Sequence, residues 1–224
     1  MIKLRYTNNI KKLDLSKNFI LSAFNLAFVG FIYNKKIIPN KYFIMWPDGI
    51  FAKLFIFKKK IPGSDVIQKV IIDKKIKKII IMGNATKKEI SYLKNKHKKE
   101  VNHFDLVYGN IKEIIHAMPK IHKNNLYLIT LPTPKQEQLA LHISNKYRSF
   151  KIICIGGGLA IASKTEKKCP KLIEKIGLEF LWRLKTDFIR RIIRLIYTLS
   201  LFTMWKIDNN SSKFLFKNIF KEKN

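Results

Sequence analysis

The sequence predicts an α/β fold in which a mostly parallel, doubly wound sheet is followed by a helical C-terminal appendage. Three observations lead there. Short apolar runs recur between Phe19 and Ile155, each of strand length. Helix-start signals stand between those runs. The 224 residues, 47% of them apolar, suit one core-bearing domain.

In chain order, strands are predicted at residues 19–22, 42–46, 78–82, 104–108, 126–131 and 151–155. Most are continuous apolar runs rather than alternating ones, the pattern of strands covered on both faces. The uncharged stretch from Phe19 to Tyr33 is shorter than the ~18 to 20 residues of a membrane span and contains Ser22 and Asn25. It reads as a buried strand-to-helix unit. Helices are predicted to start at Ser64-Asp65, at the capping box Thr86-x-x-Glu89, and at Thr133-Pro134 with Gln136 as the third helical residue. Alternation of this kind gives right-handed crossovers and a parallel sheet. Residues 1–180 form the predicted α/β domain and 181–224 a basic amphipathic appendage.

The chain carries 45 basic against 15 acidic residues, a net charge of +30. Six of the basic residues are arginine, and four of those fall at 183, 190, 191 and 194. Lysine is thus a diffuse background, and the arginine cluster is the informative part. The 12% aromatic content argues against disorder. Cys154 and Cys169 cannot build a disulfide framework or a four-ligand zinc site, and they fit a reducing cytosol. The five histidines lack metal-ligand spacing and read as surface or packed residues. A basic nucleic-acid-binding module is the rival class. It would need stacking aromatics on a sheet face, a recognition helix or zinc spacing, and none is found, so no nucleic-acid partner is expected.

Ligands of doubly wound sheets bind beyond the carboxyl ends of the strands, which directs attention to the residues just after each run. Trp46-Pro47-Asp48-Gly49 holds a carboxylate on a tight turn, suited to accept a proton from a hydroxyl; an ordinary turn aspartate bonding its own backbone is the alternative. Asp48 and Asp65 are the only acidic residues between Leu15 and Ile72. Gly63-Ser64-Asp65 reads as a helix cap, with Gln68 at capping-box spacing, or as a helix start that orients a ligand. Thr133-Pro134-Lys135-Gln136 puts a cation and an amide at a helix start, where Gln136 could close a capping box and Lys135 opposes the helix dipole unless an anion sits nearby. Gly156-Gly157-Gly158 permits close backbone approach but matches neither the dinucleotide nor the P-loop fingerprint. No Asp-x-Asp occurs, which argues against a metal-bridged sugar diphosphate. From Gly177 onward, arginines alternate with aromatic and aliphatic residues, as in a helix that lies among anionic lipid headgroups or one that packs on the domain with a solvated basic face.

WPDG (46–49), IPGSD (61–65), PTPKQE (132–137), IGGG (155–158) and CPKLIEKIGLEFLWRL (169–184), then the arginine cluster, together resemble the WecG/TagA/CpsF family, glycosyltransferase family 26. The resemblance covers residues from about 18 to 197 in one collinear order. It implies a Rossmann-like fold whose C-terminal appendage associates with the membrane. The implied reaction is an inverting, metal-independent transfer of an N-acetylhexosamine-type sugar such as N-acetylmannosamine, in cell-surface polysaccharide synthesis. The donor would be a UDP-sugar, the acceptor a polyprenyl-diphosphate-linked sugar and the partner surface an anionic membrane, with no cofactor or metal; a homo-oligomer is compatible. The enzyme would lie in the cytoplasm, peripheral on the inner face of the cytoplasmic membrane.

The resemblance makes Asp48 the base. It places Asn25, Lys135, Gln136, Gly156, Gly157, Arg183, Arg190, Arg191 and Arg194 about the donor diphosphate, and Gly63 and Asp65 in the pocket. Two departures bear on donor choice. The family's threonine at the first strand end is Ala23 here unless Ser22 substitutes, and an acidic residue after the glycines is Ala160. A catalytically inactive, membrane-associated relative is the second rival reading.

Overall fold

The computed structural model describes residues 2–49, 60–106, 109–170, 173, 182, 188–208 and 214–219. Eight strands are found there: β1 (Ile2–Tyr6), β2 (Phe19–Phe24), β3 (Phe43–Pro47), β4 (Lys78–Met82), β5 (Glu100–Phe104), β6 (Asn125–Ile129), β7 (Lys151–Cys154) and β8 (Phe214–Asn218). They form one all-parallel sheet in the order β5-β4-β6-β7-β2-β3-β1-β8. The helices are α1 (Leu26–Tyr33), α2 (Gly63–Lys69), α3 (Lys87–His97), α4 (Ile111–Ala117), α5 (Lys135–Lys146), α6 (Gly158–Ala162) and α7 (Phe188–Ile207). This is the doubly wound, Rossmann-like sheet that the β/α alternation predicts.

Alternate residues of each strand supply two cores. Ile20 and Phe24 of β2, Met45 of β3, Ile80 of β4 and Tyr127 of β6 face α1, α4, α5 and α7. Phe19 and Leu21 of β2, Trp46 of β3, Ile79 of β4 and Leu128 of β6 face α2, α3 and α6. Burial on both faces explains why these strands read as continuous apolar runs. The stretch from Phe19 to Tyr33 is the buried strand-to-helix unit expected of it: all six residues of β2 are buried, and Asn25 caps α1.

Three elements differ from expectation. The strand predicted at 104–108 is β5, four residues earlier. β5 is an edge strand that carries Glu100, Asn102 and His103, with Glu100 bonded to Lys78 at 2.8 Å, so the more apolar run that follows was the weaker guide. β1 was missed because its alternating Lys3 and Arg5 hide a strand whose Leu4 is buried. β8 was assigned to the appendage. It pairs with β1 from Ile2↔Phe214 to Tyr6↔Asn218, so the C-terminal segment supplies the sheet's far edge. The expected boundary at 180/181 lies outside the described residues.

α7 lies against α1. Gly30 makes the close approach possible, because a Cβ there would stand 2.9 Å from Leu201 Cβ. Phe31 packs on Tyr197, and Asn34 Nδ2 donates to the Tyr197 hydroxyl. As α7 advances from Tyr197 to Leu201 its partners recede from Asn34 to Gly30, so the two helices run antiparallel. α2 and α6 meet through glycines as well. A Cβ on Gly158 would lie 2.9 Å from the Gly63 carbonyl carbon and 3.1 Å from Ile155 Cγ1. The first of these is backbone and cannot swing aside. Gly158→Ala is therefore expected to destabilise by ~1–3 kcal/mol through overpacking, read as a Tm lowered by several degrees in thermal unfolding.

Candidate active site

The site follows from strand register. Phe24 is level with Pro47, and Cys154 is level with both Ser22 and Ile129. Asn25 and Asp48 therefore leave β2 and β3 at one height, and Ile155 and Thr130 leave β7 and β6 level with Ala23, two residues below. Chain order runs outward from β2 to β3 and arrives at β7 from the other side, so the β7/β2 boundary is where the winding reverses. Such a boundary opens a crevice beyond the strand ends.

Asp48 and Asn25 stand on neighbouring strands, and the Asp48 N–H donates to the Phe24 carbonyl at 3.1 Å. Asp48 Oδ1 accepts from the Gly49 N–H at 3.0 Å, and Gly49 has φ +69°, a conformation that glycine adopts without strain. The reading as a turn aspartate is met. The aspartate is bonded to its own backbone, and its carboxylate is only half-buried at the strand-end edge. Asn25 Oδ1 accepts from the Phe28 N–H at 3.0 Å, so its oxygen serves the helix cap.

Across the boundary, Gly156 has φ +51° and turns the chain out of β7. Its N–H donates to the Ile129 carbonyl and to Gln136 Oε1, at 3.2 and 3.1 Å. A Cβ on Gly157 would meet nothing within 4 Å among the described residues, so that backbone lies open to a ligand. Gly63 lies behind the turn, 3.6 Å from Gly158 Cα when a Cβ is placed on it.

Two capping readings are corrected by one cause. α2 and α5 have proline at the N-cap, Pro62 and Pro134, and neither is capped by a side chain. A capping box needs an N-cap N–H, which proline lacks. Asp65 turns instead to Lys69 at 3.0 Å and to Lys168 at 3.9 Å. Gln136 is the second residue of α5, not the third, and its amide bonds sideways. Lys135 Nζ donates to the Gly109 carbonyl at 2.6 Å, which ties the start of α5 to the loop before α4.

Gln136 is buried, and its Nε2 donates to Thr133 Oγ1 at 3.1 Å and to Glu137 Oε1 at 2.8 Å. Glu137 was not foreseen. It is fully buried, and Oε1 also accepts from Ser22 at 2.8 Å and from Thr133 at 3.2 Å. Burial pushes its carboxyl above the ordinary carboxylate range, against the opposing pull of the bonds from Ser22, Gln136 and Thr133. Ser22 therefore does not stand in for a strand-end threonine, because its hydroxyl is engaged below the edge. The signal for Glu137 was periodicity: Gln136, Leu139, Ala140 and Ile143 mark the buried face of α5, and Glu137 adjoins it. On the facing strand, burial raises the Cys154 thiol well above its usual value, with Glu137 adding to the effect. Among the histidines, His103 Nε2 bonds the Gly83 carbonyl, and burial beside Lys96 lowers His97 to about 4.

Arg183 lies outside the described residues. Arg190, Arg191 and Arg194 precede Tyr197 on α7, so they lie past the C-terminal end of α1, whereas Asn25 stands at its N-terminal end. α7 thus carries the backbone of these three to the opposite end of α1 from Asn25. The physical reason is the antiparallel packing of α7 on α1, fixed by Gly30 and Leu201.

Residues 45–213 match the family described as Glycosyl transferase WecG/TagA/CpsF family. No curated protein matches the chain.

Proposed function

Since the chain belongs to the WecG/TagA/CpsF glycosyl transferase family and is a glycosyltransferase, we propose that it moves an N-acetylhexosamine-type sugar from a UDP-sugar to a polyprenyl-diphosphate-linked sugar. The observation that carries this is the convergence of Asp48, Asn25 and the Gly156-Gly157 turn at the winding reversal. Asp48 and the glycine turn are two strand spacings apart, roughly 10 Å. That separation leaves room for a donor whose diphosphate rests by the glycines and whose anomeric carbon faces Asp48.

In this reading Asp48 takes the proton of the acceptor hydroxyl as that oxygen attacks the anomeric carbon, opposite the departing UDP. The new glycosidic bond forms as the bond to the diphosphate oxygen breaks, which inverts the anomeric configuration. Charge that builds on the leaving group is met by backbone N–H groups near Gly157 and by the surrounding basic field.

A lipid-linked acceptor calls for a protein at the membrane surface. No helix among the described residues is long and apolar enough to cross a membrane. α7 instead carries an exposed apolar stripe, Ile189, Ile193, Ile196, Met204 and Ile207, at helical spacing. We assign this stripe to the headgroup region of an anionic bilayer on its cytoplasmic side, with Arg194 and the two arginines before it answering lipid phosphates.

The test is a transfer assay. Purified protein is given a panel of UDP-sugars and polyprenyl-diphosphate-linked N-acetylglucosamine in anionic vesicles, and the product's anomeric configuration is read by NMR. Transfer with inversion from one donor is the expected result. Absence of transfer from every donor, with salt-sensitive retention of RNA or DNA, would sink the reading.

A further inference from the structure

The Gln136 carboxamide faces two ways. Its oxygen receives the Gly156 N–H that shapes the glycine turn, and its nitrogen must then point the other way. The two ends of a carboxamide have nearly the same shape, so neighbouring donors and acceptors decide which way it sits. Here the nitrogen's two hydrogens go to Thr133 Oγ1 and to Glu137 Oε1. Thr133 gives its own hydroxyl proton to the same Glu137 oxygen, at 3.2 Å, and Ser22 of β2 supplies a third donor. One carboxyl oxygen therefore anchors the start of α5, the strand beside it and the amide that sets the turn. Glu137 Oε2, by contrast, has no hydrogen-bond partner among the described residues, which is unusual for a buried polar atom.

We propose that Glu137 is a positioning residue for donor binding: by accepting from Gln136 it orients the carboxamide that holds the Gly156-Gly157 turn against the donor diphosphate. This rests on the donor placement proposed above. Glu137 itself is buried and touches no substrate. The titratable group facing it is Cys154 on β7, whose thiol burial keeps protonated. β2 and the loop before α5 present the hydroxyls of Ser22 and Thr133, and on α5 the Lys135 ammonium is bonded to the Gly109 carbonyl.

A neutral group that accepts hydrogen bonds is all this role requires, so the decisive pair is Glu137→Gln and Glu137→Leu. In Glu137→Gln the amide oxygen replaces Oε1, and the turn should persist. Gly156 amide exchange, measured without any ligand, should stay within about twofold of wild type, as should the donor KM. Glu137→Leu removes the acceptor. Gly156 exchange should quicken about tenfold or more, and the donor KM should rise about tenfold while the acceptor KM is unchanged.

Stability against pH gives a third readout. The folded carboxyl titrates above the ordinary value of 4.5, so the folded state keeps a proton that the unfolded state releases. The wild type is then most stable below that value and loses stability as pH rises above it. Glu137→Gln lacks this loss, so the Tm difference in its favour should widen from acid toward neutral pH.

Glu137→Leu with wild-type Gly156 exchange and donor KM would overturn the proposal. If Glu137→Leu does not fold, Glu137→Gln decides: Gly156 exchange quickened about tenfold would overturn it equally. If the wild type binds no UDP-sugar, the proposed donor is wrong, and that failure is distinct because exchange and stability need no donor.

Discussion

Asp48→Asn is expected to lower kcat roughly 10²- to 10⁴-fold, the range over which a positioned general base accelerates proton transfer. The donor Kd should change little, because the substitution keeps the shape of the side chain and leaves an oxygen to accept from the Gly49 N–H. The turn around it is set by backbone: the Asp48 N–H is held by Phe24, and the Ile61 N–H by Pro47 at 2.7 Å. A loss of kcat with an unchanged Tm would thus be chemical in origin. Single-turnover transfer with saturating donor, alongside donor binding by calorimetry, makes the measurement. Turnover at the wild-type rate would remove Asp48 as the base.

The second large effect belongs to α7. Ile193 and Ile196 are 61% and 60% exposed, so their substitution should disturb the fold little. Burying an isoleucine side chain is worth ~1.5–3 kcal/mol, and placing a carboxylate in an anionic headgroup layer costs more. Ile193→Glu with Ile196→Glu should therefore reduce partitioning onto anionic vesicles by about 100-fold or more, measured by sedimentation. Activity on a lipid-linked acceptor in vesicles should fall with it. Activity on a short, water-soluble acceptor analogue should not. Equal binding of both proteins to vesicles would show that the stripe serves another purpose. The opposite face of the helix provides a contrast, since Thr198 and Leu201 are buried against α1 and their loss would detach α7.

Reading the sequence succeeded where one local rule governed the outcome. Continuous apolar runs marked the buried strands β2, β3, β4, β6 and β7, and Thr86-x-x-Glu89 is a true capping box. It faltered at the sheet's edges. β5 carries Glu100, Asn102 and His103 because an edge strand tolerates polar residues, and β1 and β8 are recognisable mainly through each other. It faltered also at the starts of α2 and α5: the cap expected at Ser64-Asp65 is Pro62, and Pro134, expected as the first helical residue, stands at the cap.

The sequence by itself determined the α/β class, the family and the strand-end residues that could meet a ligand, because periodicity and turn chemistry act over a few residues. Tertiary structure decided which of those residues meet. Parallel register brought Asp48, Asn25 and Gly156 to one edge, although more than a hundred residues separate the last from the others. The antiparallel seat of α7 set Arg194 and the two arginines before it at the far end of α1 from Asn25 and left an apolar stripe exposed. The buried carboxyl at Glu137 has Gln136 and Thr133 as local partners, but it gained Ser22, 115 residues away, only because β2 and α5 pack together. Contacts of that range depend on how layers stack, and no window of a few residues contains them.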